Sequence, residues 1–331
     1  MNKCLVTGGC GFIGSNLALQ LLKEGWQVDI VDDLSSGDLS FLNSVSPRTV
    51  HVDMLPMFEF KHEKDRELGK PLVITGDFSH ENVLHRIKSK AYDVVFHVAA
   101  LPRVSFSVKD PILTSEVNLF KTLALFHACA DNTRRVVFSS SSSVYGNTNT
   151  FPTPEMTEKN PRSPYALQKL CSEKFADIFC DLYNVDIVSL RYFNVYGPHQ
   201  YGDSPYATAI AAWCHCVKEG IPLRSDGDGT QVRDLTYVSD VVKANILAAT
   251  CKSDIAGECF NIGSGNCNSN NHILGIFKDR FEDISINDAP WRPGDVMKTH
   301  ANINKAVKHL GYKPDIQLQE GIQKTFEWWG I

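Results

Sequence analysis

Three glycines at three-residue intervals, Gly8, Gly11 and Gly14, lie between a short apolar run, Lys3–Thr7, and a segment with helical apolar spacing, Phe12–Lys23. This junction constrains the chain more than any other feature. A strand that turns into a helix through glycines leaves the first helical N–H groups open, and a backbone without β-carbons lets a pyrophosphate approach them. Gly8 is expected to make the turn. Gly11 admits the ligand beside the backbone of Phe12 and Ile13, and Gly14 lets the helix pack on the strand.

Asp32 lies 18 residues beyond Gly14, at the end of the next β-rich run, Gln27–Val31. A carboxylate there accepts both ribose hydroxyls and repels a 2′-phosphate. Asp33 adds to that repulsion, and no Arg lies within Leu34–Ser40. The expected cofactor is NAD rather than NADP. Asp77, with Phe78 beside it, follows the third run and is expected to meet the adenine amino group.

The runs Leu72–Thr75, Asp93–His97, Arg135–Ser139 and Asp186–Arg191 repeat the strand signal, with helical patterns at His80–Lys88, Ile112–Ala130 and Tyr165–Tyr183 between them. Such alternation implies parallel pairing and right-handed crossovers. The expected fold class is α/β, a doubly wound parallel (Rossmann) sheet over residues 1–192, with its ligand at the carboxyl ends of the strands. Ser46–Lys70 breaks the rhythm and reads as a surface insertion. From Phe193 onward Gly, Pro and polar turns become frequent, so residues 193–331 are expected to form a smaller α+β substrate lobe, with an interleaved boundary.

Composition narrows the class of function. Lys plus Arg is 33 and Asp plus Glu is 38, a net charge of −5, which argues against a nucleic-acid binder. No apolar stretch approaches the ~18 residues of a membrane span; the longest near-apolar run, Val94–Leu101, contains His97. The ten cysteines show no framework spacing and no leader pattern precedes Thr7, so a reducing cytoplasm is expected. Cys214-His215-Cys216 lacks a second Cys/His pair to complete a tetrahedral site, and no metal is expected.

Tyr165 and Lys169 stand at i and i+4, so on a helix they share a face. A nearby ammonium stabilises a phenolate and lowers the Tyr pKa from about 10 towards neutrality. Tyr165 then becomes a usable general base. Ser141, 24 residues upstream at the end of a strand, is placed to bond the reacting oxygen and relay its proton.

These features together resemble the extended short-chain dehydrogenase/reductase family, in its nucleotide-sugar epimerase/dehydratase branch. The resemblance spans Lys3 to about Trp329. It rests on the segment Thr7–Gly14, on His97-Val98-Ala99-Ala100, on Tyr165 with Lys169, on the segment Arg191–Pro198, on Gly227-Asp228-Gly229 with Arg233-Asp234, and on Arg292-Pro293-Gly294-Asp295. It implies an NAD-dependent enzyme acting on a UDP-sugar, with Ser141, Tyr165 and Lys169 catalytic and Ala99 beside the cofactor. It further implies that Asn194 meets the substrate near its phosphates and that Arg233 and Arg292 pair with phosphate oxygens. Asp295 orients Arg292 or binds the ribose, and Tyr192, Phe193 and Ala207 line the pocket. Family members pair two long helices per subunit into a four-helix bundle, so a homodimer through Ile112–Ala130 and Tyr165–Tyr183 is expected.

Dehydratases of the branch resemble Thr-Asp-Glu-Val-Tyr-Gly after the fifth strand, and decarboxylases Thr-Ser-Glu-Val-Tyr-Gly. Here Ser141-Ser142-Ser143-Val144-Tyr145-Gly146 carries no carboxylate, so elimination lacks its base. The pattern resembles a 4-epimerase. The residue that gates the sugar's C2 substituent in such enzymes matches Thr299, small enough to admit an N-acetyl group. UDP-GlcNAc/UDP-GalNAc interconversion is expected, with UDP-glucose/UDP-galactose as a further pair. The alternatives are a UDP-glucuronate-type epimerase or decarboxylase, a dehydratase or 4-keto reductase of the same fold, and a non-catalytic nucleotide-binding homologue. The chain departs from the branch at His199, where Arg is usual, and at Asn270-Asn271-His272.

Overall fold

The computed structural model describes residues 2–55, 69–102, 104–203, 207–291 and 296–331. The first half runs β1 (Lys3–Thr7), α1 (Phe12–Lys23), β2 (Gln27–Asp32), β3 (Arg48–His51), β4 (Leu72–Thr75), α2 (Glu81–Lys88), β5 (Val94–His97), α3 (Val104–Lys109) and α4 (Pro111–Ser115). A π turn, Glu116–Lys121, leads into α5 (Thr122–Cys129), then β6 (Arg135–Ser141), α6 (Pro164–Tyr183) and β7 (Ile187–Tyr192). The second half adds β8 (Val195–Tyr196), α7 (Ala209–Glu219), β9 (Leu223–Asp226), β10 (Val232–Arg233), β11 (Thr236–Tyr237), α8 (Val238–Thr250) and β12 (Cys259–Ile262). It closes with β13 (Asn268–Ser269), α9 (Asn270–Arg280), β14 (Ile286–Ala289), α10 (Asn304–Leu310) and α11 (Leu318–Trp329).

Eight strands form one sheet in the order β12-β7-β6-β5-β1-β2-β4-β3, every neighbouring pair parallel. Its central strands are buried on both faces, which is why Cys4-Leu5-Val6 and Val94-Val95-Phe96 read as unbroken apolar runs. The chain leaves β1 for β2 on one side and returns to β5 on the other. The crevice beyond β1 and β5 is therefore the switch point where such sheets bind ligands.

Two strands were not legible as such. Arg48–His51, inside the expected surface insertion, is the edge strand beside β4. It pairs on one side only and alternates in burial, so it needs no continuous apolar run. Residues 56–68 of that insertion lie outside the described ones. At the opposite edge β12 joins β7, although it comes from beyond residue 250. With it come Val241, Ala244 and Ala248 of α8, packed in one core with Leu17 and Leu21 of α1. A separate core holds Trp213, Phe277, Ile322 and Phe326 from α7, α9 and α11. Cys214 is buried in that core.

Candidate active site

The glycine loop leaves no room for β-carbons where the fold closes on itself. Gly8 is left-handed, φ +69°, and a β-carbon on it would stand 2.8 Å from the Ala99 backbone; one on Gly14 would stand 2.0 Å from the Gly8 carbonyl oxygen. Gly11 is different: its β-carbon would meet only the Gly8 oxygen, at 3.3 Å. It caps α1 without any side-chain hydrogen bond, so the first N–H groups, those of Phe12 and Ile13, have no side-chain cap. Gly9, not singled out from the sequence, packs on Ile30, 2.6 Å from its hypothetical β-carbon.

Asp32 is buried at the end of β2 and accepts from the Cys10 N–H at 2.8 Å and the Leu34 N–H at 2.9 Å. Burial raises its pKa despite those bonds. Two N–H bonds leave acceptor capacity on both carboxylate oxygens, as ribose hydroxyls require. Asp33 is exposed and bonds Ser35. An open helix start, a β-carbon-free approach and a carboxylate at the strand end fit a dinucleotide such as NAD.

Asp77 is already engaged on both oxygens. Oδ1 accepts from the Ser79 N–H and hydroxyl, each at 2.7 Å, and Oδ2 from Lys121 Nζ at 2.6 Å. Burial acts to raise its pKa, but the Lys121 ammonium and the Ser79 bonds outweigh it and the net shift is downward. The Phe78 ring is buried, 4.9 Å from the His97 ring.

Ser141, Tyr165 and Lys169, the residues expected to transfer the proton, meet where β6 ends and α6 begins. Ser163 caps α6, its Oγ accepting from the Ala166 N–H at 3.2 Å, and sets Tyr165 in the first turn with Lys169 one turn on. Ser141, at the end of β6, stands beside Tyr165 and acts to lower its pKa. Lys169 Nζ donates to the Ser139 carbonyl at 2.7 Å and lies 4.7 Å from the Phe138 ring centre and 5.9 Å from that of Tyr165. The expectation of a Tyr165 pKa near neutrality is not met: burial pushes it up to about 12, and Ser141 offsets only part of that. Burial also pushes Lys169 down to about 7, opposed by the Glu173 carboxylate. The site disfavours charge on both partners more than their spacing implied.

Three further residues surround this pair; Asn118 was expected from the sequence to support the site from the neighbouring helix, whereas Glu173 was not singled out. His97 is fully buried between Thr7 Oγ1 (2.8 Å from Nδ1) and Thr122 Oγ1 (2.9 Å from Nε2), and burial pushes its pKa down to about 3. Asn118, on the π turn, accepts from the Leu101 N–H at 2.7 Å and donates to Gln168 Oε1 at 2.9 Å, tying the loop after β5 to α6. Glu173 pairs with Arg191; its spacing from Lys169, again i and i+4, was the available signal.

Among the residues expected to meet the substrate, Asn194 Nδ2 donates to Thr299 Oγ1 at 2.7 Å and to the Asp234 carbonyl at 3.1 Å. The Thr299 and Val232 backbones pair, which brings Arg233 alongside; its Nη1 donates to the Val232 carbonyl at 3.2 Å. Ser142 and Ser143 form the 3₁₀ turn after Ser141, whose Oγ accepts from the Ser143 N–H at 3.2 Å. The Ser143 hydroxyl is buried with no hydrogen-bond partner among the described residues. Ala207 is half-buried just before α7. Tyr192 turns its hydroxyl inward, 2.9 Å from Ser139 Oγ, and Phe193 packs on Val144, Tyr145 and Ala301 rather than facing solvent. Arg292 and Asp295 lie outside the described residues.

A parallel switch-point sheet with a glycine cradle and a Ser–Tyr–Lys constellation defines a dinucleotide-dependent enzyme. The NAD dependent epimerase/dehydratase family model matches residues 4–263, and the chain belongs to that family. A UDP-glucose 4-epimerase of Mycolicibacterium smegmatis is 33% identical over 333 residues, covering 98% of this chain and 97% of the relative. The structure of UDP-N-acetylglucosamine 4-epimerase from Methanobrevibacter ruminantium M1, in complex with UDP-N-acetylmuramic acid, matches with a TM-score of 0.86 at 34% identity, covering 99% of this chain and 97% of the other. That of Thermus thermophilus UDP-glucose 4-epimerase in complex with NAD matches at 0.83 and 30%, covering 99% of each. The protein uses NAD. Among the described residues no helix is long and apolar enough to cross a membrane.

Proposed function

We propose that the protein is a UDP-hexose 4-epimerase acting on UDP-GlcNAc and UDP-GalNAc, and on UDP-glucose and UDP-galactose as a second pair. The observation that carries this reading is the end of β6: Ser141 stands beside Tyr165, and the next two residues are Ser142 and Ser143, not acids. Similarity to 4-epimerases of both substrate kinds supports it.

Gly8, Gly11, Phe12, Ile13 and Gly14 hold the pyrophosphate, Asp32 and Asp33 the adenosine ribose side, and Asp77, Phe78 and Ala99 flank the cofactor. When bound, NAD supplies a hydride acceptor and then a donor for C4. Tyr165, once its own proton has left and it stands as the phenolate, takes the proton of the 4-hydroxyl through its contact with Ser141. Lys169 stabilises the phenolate and bonds the ribose side of the cofactor. Asn194, Arg233, Arg292 and Asp295 keep the nucleotide anchored while the 4-keto sugar turns over. Tyr165 then returns the proton on the other face. Ser142, Ser143, Ala207 and Thr299 bound the sugar.

The working form is a cytoplasmic homodimer. Ile112 on α4, Phe120 on the π turn, and Ile178 and Leu182 on α6 are exposed, with Ile112 at 79%. A second copy that covers these helices buries them.

Incubation with UDP-GlcNAc and no added NAD, followed by proton NMR of the sugar, tests the reaction. UDP-GalNAc is expected. An unchanged spectrum with both UDP-GlcNAc and UDP-glucose overturns the reading.

A further inference from the structure

Glu173 has no part in the roles above, yet it is buried on α6 one turn beyond Lys169. Its Oε1 accepts from Ser140 Oγ at 2.5 Å and from Arg191 Nε at 2.9 Å, and its Oε2 from Arg191 Nη2 at 2.7 Å. Arg191 Nη1 continues to Tyr145 Oη at 2.8 Å, and Tyr145 donates to Asn261 Oδ1 at 2.7 Å. Three consecutive residues of β6 are thus held separately. The Ser139 carbonyl takes the Lys169 ammonium, the Ser140 hydroxyl is held by Glu173, and Ser141 stands beside Tyr165.

We propose that Glu173 is a positioning residue of the proton transfer: it pins the end of β6 through Ser140 and sets its carboxylate one helical turn from Lys169. The inference rests on the role given above to Tyr165 and Lys169. The groups around this pair leave Glu173 alone in that task among the described residues. Tyr165 on α6 and Tyr192 on β7 are un-ionised phenols, and His97 on β5 stays neutral. Arg191 on β7 is a cation bound to Glu173 itself. Burial drives the proton off Lys169, and the Glu173 carboxylate opposes it. An opposite charge at close range typically moves a pKa by about one unit or more.

The test uses Glu173→Gln in the full-length, NAD-loaded enzyme, with two readouts. One is the pH profile of epimerisation of the UDP-sugar the parent turns over. The other is the tyrosinate absorbance of Tyr165, taken as the difference from the matching Tyr165→Phe protein. The alkaline limb is expected to move down by about one pH unit, a tenfold change in the charged fraction of Lys169. Tyrosinate is expected to form at higher pH, and kcat to fall about fivefold near pH 7 while KM stays within about twofold.

The single variant leaves Arg191 buried without its counter-charge, which is destabilising in itself. Glu173→Gln/Arg191→Met is therefore measured alongside. It is expected to recover thermal stability and keep the shifted profile. A double variant with the parent's profile means that Glu173 only balances Arg191, and the proposal is wrong. Coincident profiles and tyrosinate titrations for Glu173→Gln and the parent overturn it equally. If the parent turns over no UDP-sugar, the proposed function fails, while the tyrosinate titration still decides the role of Glu173.

Discussion

The Asn194 side-chain amide donates to the Thr299 hydroxyl across 2.7 Å, joining the loop after β7 to the segment that pairs with β10. Thr299, the proposed gate residue, is thereby fixed to the expected phosphate-side residue rather than standing on a free loop. Thr299→Tyr adds a ring at a position whose backbone is held by Val232 and Asp234, so the added bulk has to enter the pocket. Turnover of UDP-GlcNAc is expected to fall at least about tenfold relative to UDP-glucose, the scale on which a misfit in a pocket discriminates. Paired kcat/KM measurements on the two sugars check it; an unchanged ratio removes Thr299 from specificity.

Gly11 and Gly14 lie on one turn but predict opposite outcomes. A β-carbon added at Gly14 would sit 2.0 Å from the Gly8 oxygen, so the loop has to shift. Gly14→Ala is expected to lose about 1–3 kcal/mol of stability, as overpacked sites do, together with bound NAD. Gly11→Ala meets only a 3.3 Å contact. It is expected to fold within about 1 kcal/mol of the parent and yet to purify without cofactor, because its methyl occupies the ligand's approach. Thermal unfolding and the absorbance of retained NAD separate the two.

Local chemistry was legible in the sequence, and long-range pairing was not. β1 and α1 have the bounds read from period and glycine spacing, because strand, turn and helix each follow from neighbouring residues. The meeting of Tyr165 with Ser141 was also legible, since strand ends and helix starts converge on one edge of such a sheet. The π turn inside the expected helix Ile112–Ala130 was hidden, because it adds a residue to a turn without changing the apolar pattern. The partner of Asp77 is Lys121, 44 positions away, and that of Glu173 is Arg191 on another element. No periodicity reports such pairs. The pKa of Tyr165 failed for a related reason: spacing shows which charge is near, whereas its value depends on how completely the fold excludes water.

His97 sets a pH dependence of stability. Its folded pKa is about 3 against an ordinary 6.5. Between those values the unfolded chain carries a proton that the folded chain does not. Stability from this residue is therefore intact above pH 6.5 and declines as pH falls towards 3, by up to about 1.4 kcal/mol per pH unit. His97→Gln is expected to be less stable at pH 7 by about 1–2 kcal/mol through its weakened threonine contacts. It is also expected to show a shallower decline in acid, so the two curves converge. Urea midpoints across about pH 4–7 test this; parallel curves refute it.

Lys169 joins stability and catalysis with opposite signs. Its folded pKa is lowered from 10.5 to about 7, so between those values the unfolded chain again holds the extra proton. The burden of the buried ammonium is full below about pH 7 and lifts as pH rises towards 10.5. Lys169→Met removes that burden while filling nearly the same volume. It is expected to melt higher than the parent at pH 6, with the advantage shrinking as pH rises towards 10. Activity is expected to fall about 10²–10⁴-fold, the range for a lost acid–base function. Tyr165→Phe is expected to lose activity on the same scale with little change in KM, but without the pH-dependent gain in stability. A site that holds a destabilising cation for its chemistry trades stability for function. If Lys169→Met melts lower than the parent at every pH, the ammonium is a structural tie to the Ser139 carbonyl rather than a charge kept for the reaction.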